Sequence, residues 1–142
     1  MAVRVAAEEA IPALVLGEPA LCLLAGMFDS LQERSEKEEF WRNLDKYYLE
    51  QHKEKVSSIV ERLTSPALFL HGENSWLVQF NREHVLPLCT KHGVPFDEIR
   101  FEGQVHGFYW GRKSATVETV ERIVADVDEF LKKHLKLNAN PL

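Results

Sequence analysis

The sequence predicts an α/β fold: a parallel sheet of about three strands in a three-layer sandwich with covering helices. Two observations carry this expectation. Ala67-Leu68-Phe69-Leu70 is a continuous apolar run set between Pro66 and the pair His71-Gly72, the pattern of a strand covered on both faces. On either side of it, apolar residues recur at three- and four-residue steps over stretches of helical length, so strands and helices alternate along the chain. The 142 residues make one domain's worth of chain and contain no internal repeat, low-complexity stretch or linker. Residues 1–142 therefore read as a single domain.

Taken in order, residues 2–9 suit the tail of a helix. Ile11 to Leu16 is a short apolar run with β-branched residues, closed by Gly17 and Pro19, and is expected to be a buried strand. Asp29 or Ser30 is placed to cap the next helix. Charges dominate from Gln32 to Glu39; then Phe40, Trp41, Leu44, Tyr47, Tyr48 and later Val56, Ile59, Val60 and Leu63 fall at helical steps. This is a helix in two pieces, broken between Gln51 and Lys55, and Trp41, Tyr47 and Tyr48 read as its packing surface. Ser65-Pro66 stops it. After the strand at Ala67 to Leu70, a helix is expected from Asn81 to His92, with Pro87 a kink or late start and Gly93 a C-cap. Phe96 to Phe101 suits a short strand. From Ser114 to His134 the residues Val117, Val120, Val124, Val127, Phe130 and Leu131 make one stripe, and Lys132, Lys133 and His134 fill the last turn, where cations suit the helix dipole.

The charge balance excludes several partners. Net charge is −5, with lysines and arginines spread along the chain, so neither nucleic acid nor an anionic membrane is an expected partner. The apolar run from Ala10 to Phe28 is interrupted by Pro12, Gly17, Glu18, Pro19 and Gly26 and does not suit a spanning helix. The start, Met1-Ala2-Val3-Arg4-Val5, lacks the features of a secretory signal. Cys22 and Cys89 have neither metal-ligand spacing nor a CxxC arrangement and read as buried reduced thiols, so the expected location is the cytoplasm. His52, His84, His92 and His134 are not spaced with one another or with carboxylates as a metal site requires, and no glycine-rich phosphate loop or dinucleotide fingerprint occurs. Neither metal nor cofactor is expected.

The residue with the most chemical content is His106, in Gly103-Gln104-Val105-His106-Gly107-Phe108-Tyr109-Trp110-Gly111. An imidazole exchanges protons near neutral pH, and glycines on both sides let a loop bend enough to aim it. A short strand precedes this run and a long helix closes the chain. With the apolar strand ending in His71-Gly72 upstream, the arrangement resembles the C-terminal half of an α/β-hydrolase of the dienelactone hydrolase and prolyl oligopeptidase-like kind. The likeness is strongest from Ser65 to Leu135 and thin before Asp29.

The resemblance implies an acyl hydrolase acting on ester or peptide bonds, with His106 as catalytic base. Two departures stand out. No Gly-x-Ser-x-Gly or Gly-x-Cys-x-Gly elbow occurs in the 142 residues, and Leu21-Cys22-Leu23-Leu24 lacks the glycines such a turn needs. The family's orienting aspartate falls on Ser75, which cannot supply a negative charge. Glu73 on the same loop and Glu18 in Leu16-Gly17-Glu18-Pro19 are the two substitutes; the other reading of both is as solvated loop charges. His71 falls on a structural position of the strand end. The strand at residues 11–16 would be central in the family sheet, so a second copy or a partner chain is expected to cover it. The alternative to a hydrolase is a non-catalytic remnant that serves as a binding or assembly module.

Overall fold

The computed structural model describes residues 2–9, 11–17, 19, 53–108 and 115–135, with 39, 42, 43, 46 and 49 as isolated positions. Helix α1 spans Ala2–Glu8, strand β1 Leu14–Gly17, helix α2 Lys53–Glu61 and strand β2 Ala67–Gly72. A long helical stretch comes next: α3 at Trp76–Phe80, a π-helical turn at Asn81–Val85, and α4 at Leu86–His92. Strand β3 spans Phe96–Phe101 and helix α5 spans Val117–Leu135. Glu18, Cys22, the first piece of the helix expected after Gln32 with Trp41, Tyr47 and Tyr48, and Tyr109 to Gly111 lie outside the described residues.

The three strands pair in the order β1-β2-β3, all parallel, as the alternation of strand and helix requires. Leu14 stands opposite Ala67 and Leu16 opposite Phe69; Ala67 stands opposite Phe96 and Gly72 opposite Phe101. All six residues of β2 are buried, which accounts for its unbroken apolar run. Side chains alternate across the sheet, so the two faces fill separately. Ala67 and Phe69, with Leu14 and Leu16, pack against Val3 and Ala6 of α1, Val56 and Val60 of α2, and Leu77, Phe80 and Leu88 of the α3–α4 stretch. Leu68 and Leu70 pack with Phe101, Phe108 and Phe130 of α5 on the opposite face.

Local physics moves two boundaries from their expected places and sets the form of the break at Pro87. The strand expected from Ile11 begins at Leu14, whose N–H donates to the Pro66 carbonyl at 2.9 Å; Pro12 has no N–H to offer a ladder. The helix expected from Asn81 begins at Trp76, because the Ser75 hydroxyl caps it by accepting from Leu77 N–H at 3.3 Å. Ahead of Pro87 the backbone widens into the π turn and resumes as α4, so the proline is accommodated at the first turn of a new segment. Gly93 ends α4 in the left-handed region at φ 69°, and Val94 N–H reaches the Cys89 carbonyl at 2.9 Å.

The apolar stripe of α5 is packed along half its length. Phe130 is buried and Ile123, Val127 and Leu131 lean on the same cluster, whereas Val117, Val120 and Val124 are exposed. Helix α5 starts at Val117 rather than Ser114, capped by the Thr116 hydroxyl, which accepts from Thr119 N–H at 3.2 Å. Among the described residues no helix is long and apolar enough to cross a membrane.

Candidate functional site

Parallel strands end at the same edge of a sheet, so the loops after β2 and β3 share the carboxyl rim, where α/β folds gather their binding groups. Here the two loops are joined backbone to backbone. Glu73 N–H donates to the Phe101 carbonyl at 3.0 Å and Asn74 N–H to the Gln104 carbonyl at 2.9 Å. The approach is close enough to exclude a side chain at Gly72, where a Cβ would meet the Gln104 carbonyl oxygen at 2.8 Å and the Val105 carbonyl oxygen at 3.0 Å. The His-Gly pair at the end of β2 therefore has a physical reason: the glycine admits the loop that carries His106.

That loop turns twice in the left-handed region, at Gly103 with φ 68° and Gly107 with φ 76°. Between the turns stands His106, half-buried, its ring centroid 5.3 Å from that of Trp76 at the first position of α3. Phe108 is fully buried and lies 5.0 Å, ring to ring, from Phe101, which fixes the loop from below. A histidine held above an anchored phenylalanine is thus what the His-Gly-Phe run builds, with Trp76 forming a flat apolar wall beside the imidazole.

The structure places the other expected site residues unevenly. Glu73 sits on the neighbouring loop, and its carboxylate accepts from the Gly103 N–H at 3.3 Å, which ties it to the base of the His106 bend. Ser75 uses its hydroxyl as the cap of α3. Glu18 lies outside the described residues. Among the described residues, no group of three histidines, cysteines or carboxylates is disposed to hold a metal.

Two features escape the sequence. One is Trp76, which reads as an ordinary apolar residue as long as the helix is expected to begin later. The other is a polar line beneath the rim. His71 is fully buried, with Nδ1 3.0 Å from Glu98 Oε1 and Nε2 3.0 Å from the side-chain nitrogen of Asn81. Arg82 Nε lies 3.7 Å from the other oxygen of Glu98. This line links β2, β3 and the π turn, and a histidine at the end of an otherwise apolar buried strand is its one visible sign. Cys89 is also buried, and burial pushes its thiol up from 9.0 to about 11, against a smaller downward pull from a backbone hydrogen bond. It is a packing residue rather than a nucleophile.

The fold and rim together define an α/β domain with a parallel sheet and a histidine on a glycine-hinged loop at its carboxyl edge. No family model, curated protein or solved structure matches the chain.

Proposed function

We propose that the chain provides the histidine side of an acyl-hydrolase site acting on ester or peptide bonds, with His106 as general base. The observation that carries this reading is the locked position of His106: two left-handed glycines and the close seat over Gly72 hold its imidazole at the carboxyl rim of a parallel sheet. A neutral imidazole there takes a proton from a nucleophile and returns it to the leaving group. Trp76 offers an apolar wall for an acyl chain. Glu73 serves as the orienting carboxylate through its place against the same bend, with Glu18 the other carboxylate proposed for that role. The nucleophile comes from outside these 142 residues, among which no elbow motif occurs.

The test is turnover of p-nitrophenyl butyrate by the purified chain, in which water activated by His106 takes the place of the absent nucleophile, and by His106→Ala. A general base is worth about 10²- to 10⁴-fold, so the variant is expected to lose at least that lower factor in steady-state rate. Equal rates, or no turnover by either, overturn the reading for this chain alone.

A second reading, an assembly module, is favoured by Val15 on β1 and by Val117, Val120 and Val124 on α5, apolar side chains that stand exposed. In both readings a second copy or partner chain covers β1, the strand expected at residues 11–16 and found at Leu14–Gly17, at the edge of the described sheet. A monomer by light scattering at high micromolar concentration, with β1 amides protected from exchange, contradicts that partner. The cytoplasm is the proposed location, tested by cell fractionation.

A further inference from the structure

We propose that Ser57 and His92 form a second nucleophile–base pair, which accepts an acyl group from small activated esters in a groove between α2 and α4. Ser57 Oγ lies 3.1 Å from His92 Nε2, within the range over which a base activates a hydroxyl. The two residues are 35 apart in sequence, so tertiary packing is what joins them. Val56, Ile59 and Val60 seat α2 on the core, and Leu88 and Cys89 seat α4. Ser57 comes directly after the buried Val56, and His92 is the last residue of α4 before the left-handed Gly93. Both side chains are half-buried, which leaves them held in place yet open to solvent.

Ser57 faces a shallow recess open to solvent. Together with Ser58 it lines a cavity of about 410 Å³ whose wall includes Lys53, Lys91, Glu54 and Glu61. That volume suits a small molecule. Lys53 and Lys91 line the same recess, and a cation near a developing oxyanion stabilises it. The mixed charge of the wall favours polar acyl donors over long-chain lipids.

The step balances without a co-reactant. With the imidazole proton on Nδ1, Nε2 accepts the Ser57 Oγ proton as Oγ bonds to the acyl carbon. The ester C–O bond then breaks, and the departing alkoxide takes the proton from Nε2. The products are an ester on Ser57 and a free alcohol, with no change of oxidation state. This acylation half-reaction shows as a burst of one equivalent per chain and is separate from the steady-state rate by which the His106 reading is judged.

The experiment incubates the full chain with p-nitrophenyl acetate near neutral pH, follows p-nitrophenolate release, and locates the adduct by intact mass and peptide mapping. One acetyl group on Ser57 is expected, absent in Ser57→Ala, and formed at least about tenfold more slowly in His92→Gln. Thermal melts of both variants, expected to match the parent because neither side chain is part of the core, show that the loss is chemical. Acetylation confined to Lys53, Lys91 or other residues, no adduct at all, or equal Ser57 acetylation rates in the parent and His92→Gln overturns the proposal. Because the readout is the modified residue, failure here is distinguishable from failure at His106.

Discussion

Replacing Gly72 by alanine tests the joint between the two rim loops. The added Cβ meets the Gln104 carbonyl oxygen at 2.8 Å, the Gln104 carbonyl carbon at 3.0 Å and the Val105 carbonyl oxygen at 3.0 Å. All three are backbone atoms, so no side chain can rotate away and the loop itself must lift. Overpacking of this kind costs about 1–3 kcal/mol. Lifting also weakens the Asn74 to Gln104 bond and its neighbour from Glu73 to Phe101, each worth about 1 kcal/mol. Gly72→Ala is therefore expected to lose about 2–4 kcal/mol by urea denaturation, with an unchanged slope. The comparison is Gly93→Ala. Nothing lies within 4 Å of a Cβ there, so its cost is the left-handed backbone alone, about 1–2 kcal/mol. A Gly72→Ala protein within about 0.5 kcal/mol of the parent, or no less stable than Gly93→Ala, would refute the close seating of the His106 loop on β2.

Two further outcomes rest on buried groups. His71→Leu keeps volume but leaves the Asn81 amide buried opposite an apolar side chain and takes away one partner of Glu98; a loss of about 2–3 kcal/mol in denaturant titration is expected, and a neutral result contradicts the polar line. Cys89 has its thiol raised from 9.0 to about 11 in the fold, so the folded state holds the proton more tightly: the associated stability is fully present below pH 9 and is lost as pH rises to about 11. The parent is expected to lose roughly 2–3 kcal/mol more than Cys89→Ala over that window, and parallel stability curves for the two would contradict it.

Much of the framework is legible in the sequence because periodicity reports directly on burial. The six buried residues of β2 show as an unbroken apolar run, and β3 and Gly93 fall where composition puts them. The start of α3 is hidden as long as Ser75 is weighed as a missing acid rather than as a cap, although a serine just before Trp76-Leu77 satisfies the first amides of a helix. The π turn has no clear sequence signature; Pro87 marks an irregularity but not its kind. In α5 the period is right, yet periodicity does not say how far along the stripe the sheet extends, and Val117 to Val124 run past it.

Around His106 the two bends at Gly103 and Gly107 are readable, since glycine adopts positive φ at little steric cost. The seat over Gly72, the wall formed by Trp76 and the pairing of Ser57 with His92 depend on segments distant in sequence, and no local pattern encodes them.

Where the His106 imidazole stands decides more than any other feature of the molecule. Nuclear Overhauser spectroscopy on the folded chain measures this directly, through contacts between the His106 ring protons and the Trp76 indole. Ring centroids 5.3 Å apart require cross-peaks between the two, and these are expected. Their absence in a well-dispersed spectrum, with His106 ring protons instead touching the α5 helix or bulk solvent alone, would contradict the placement of this histidine at the carboxyl rim.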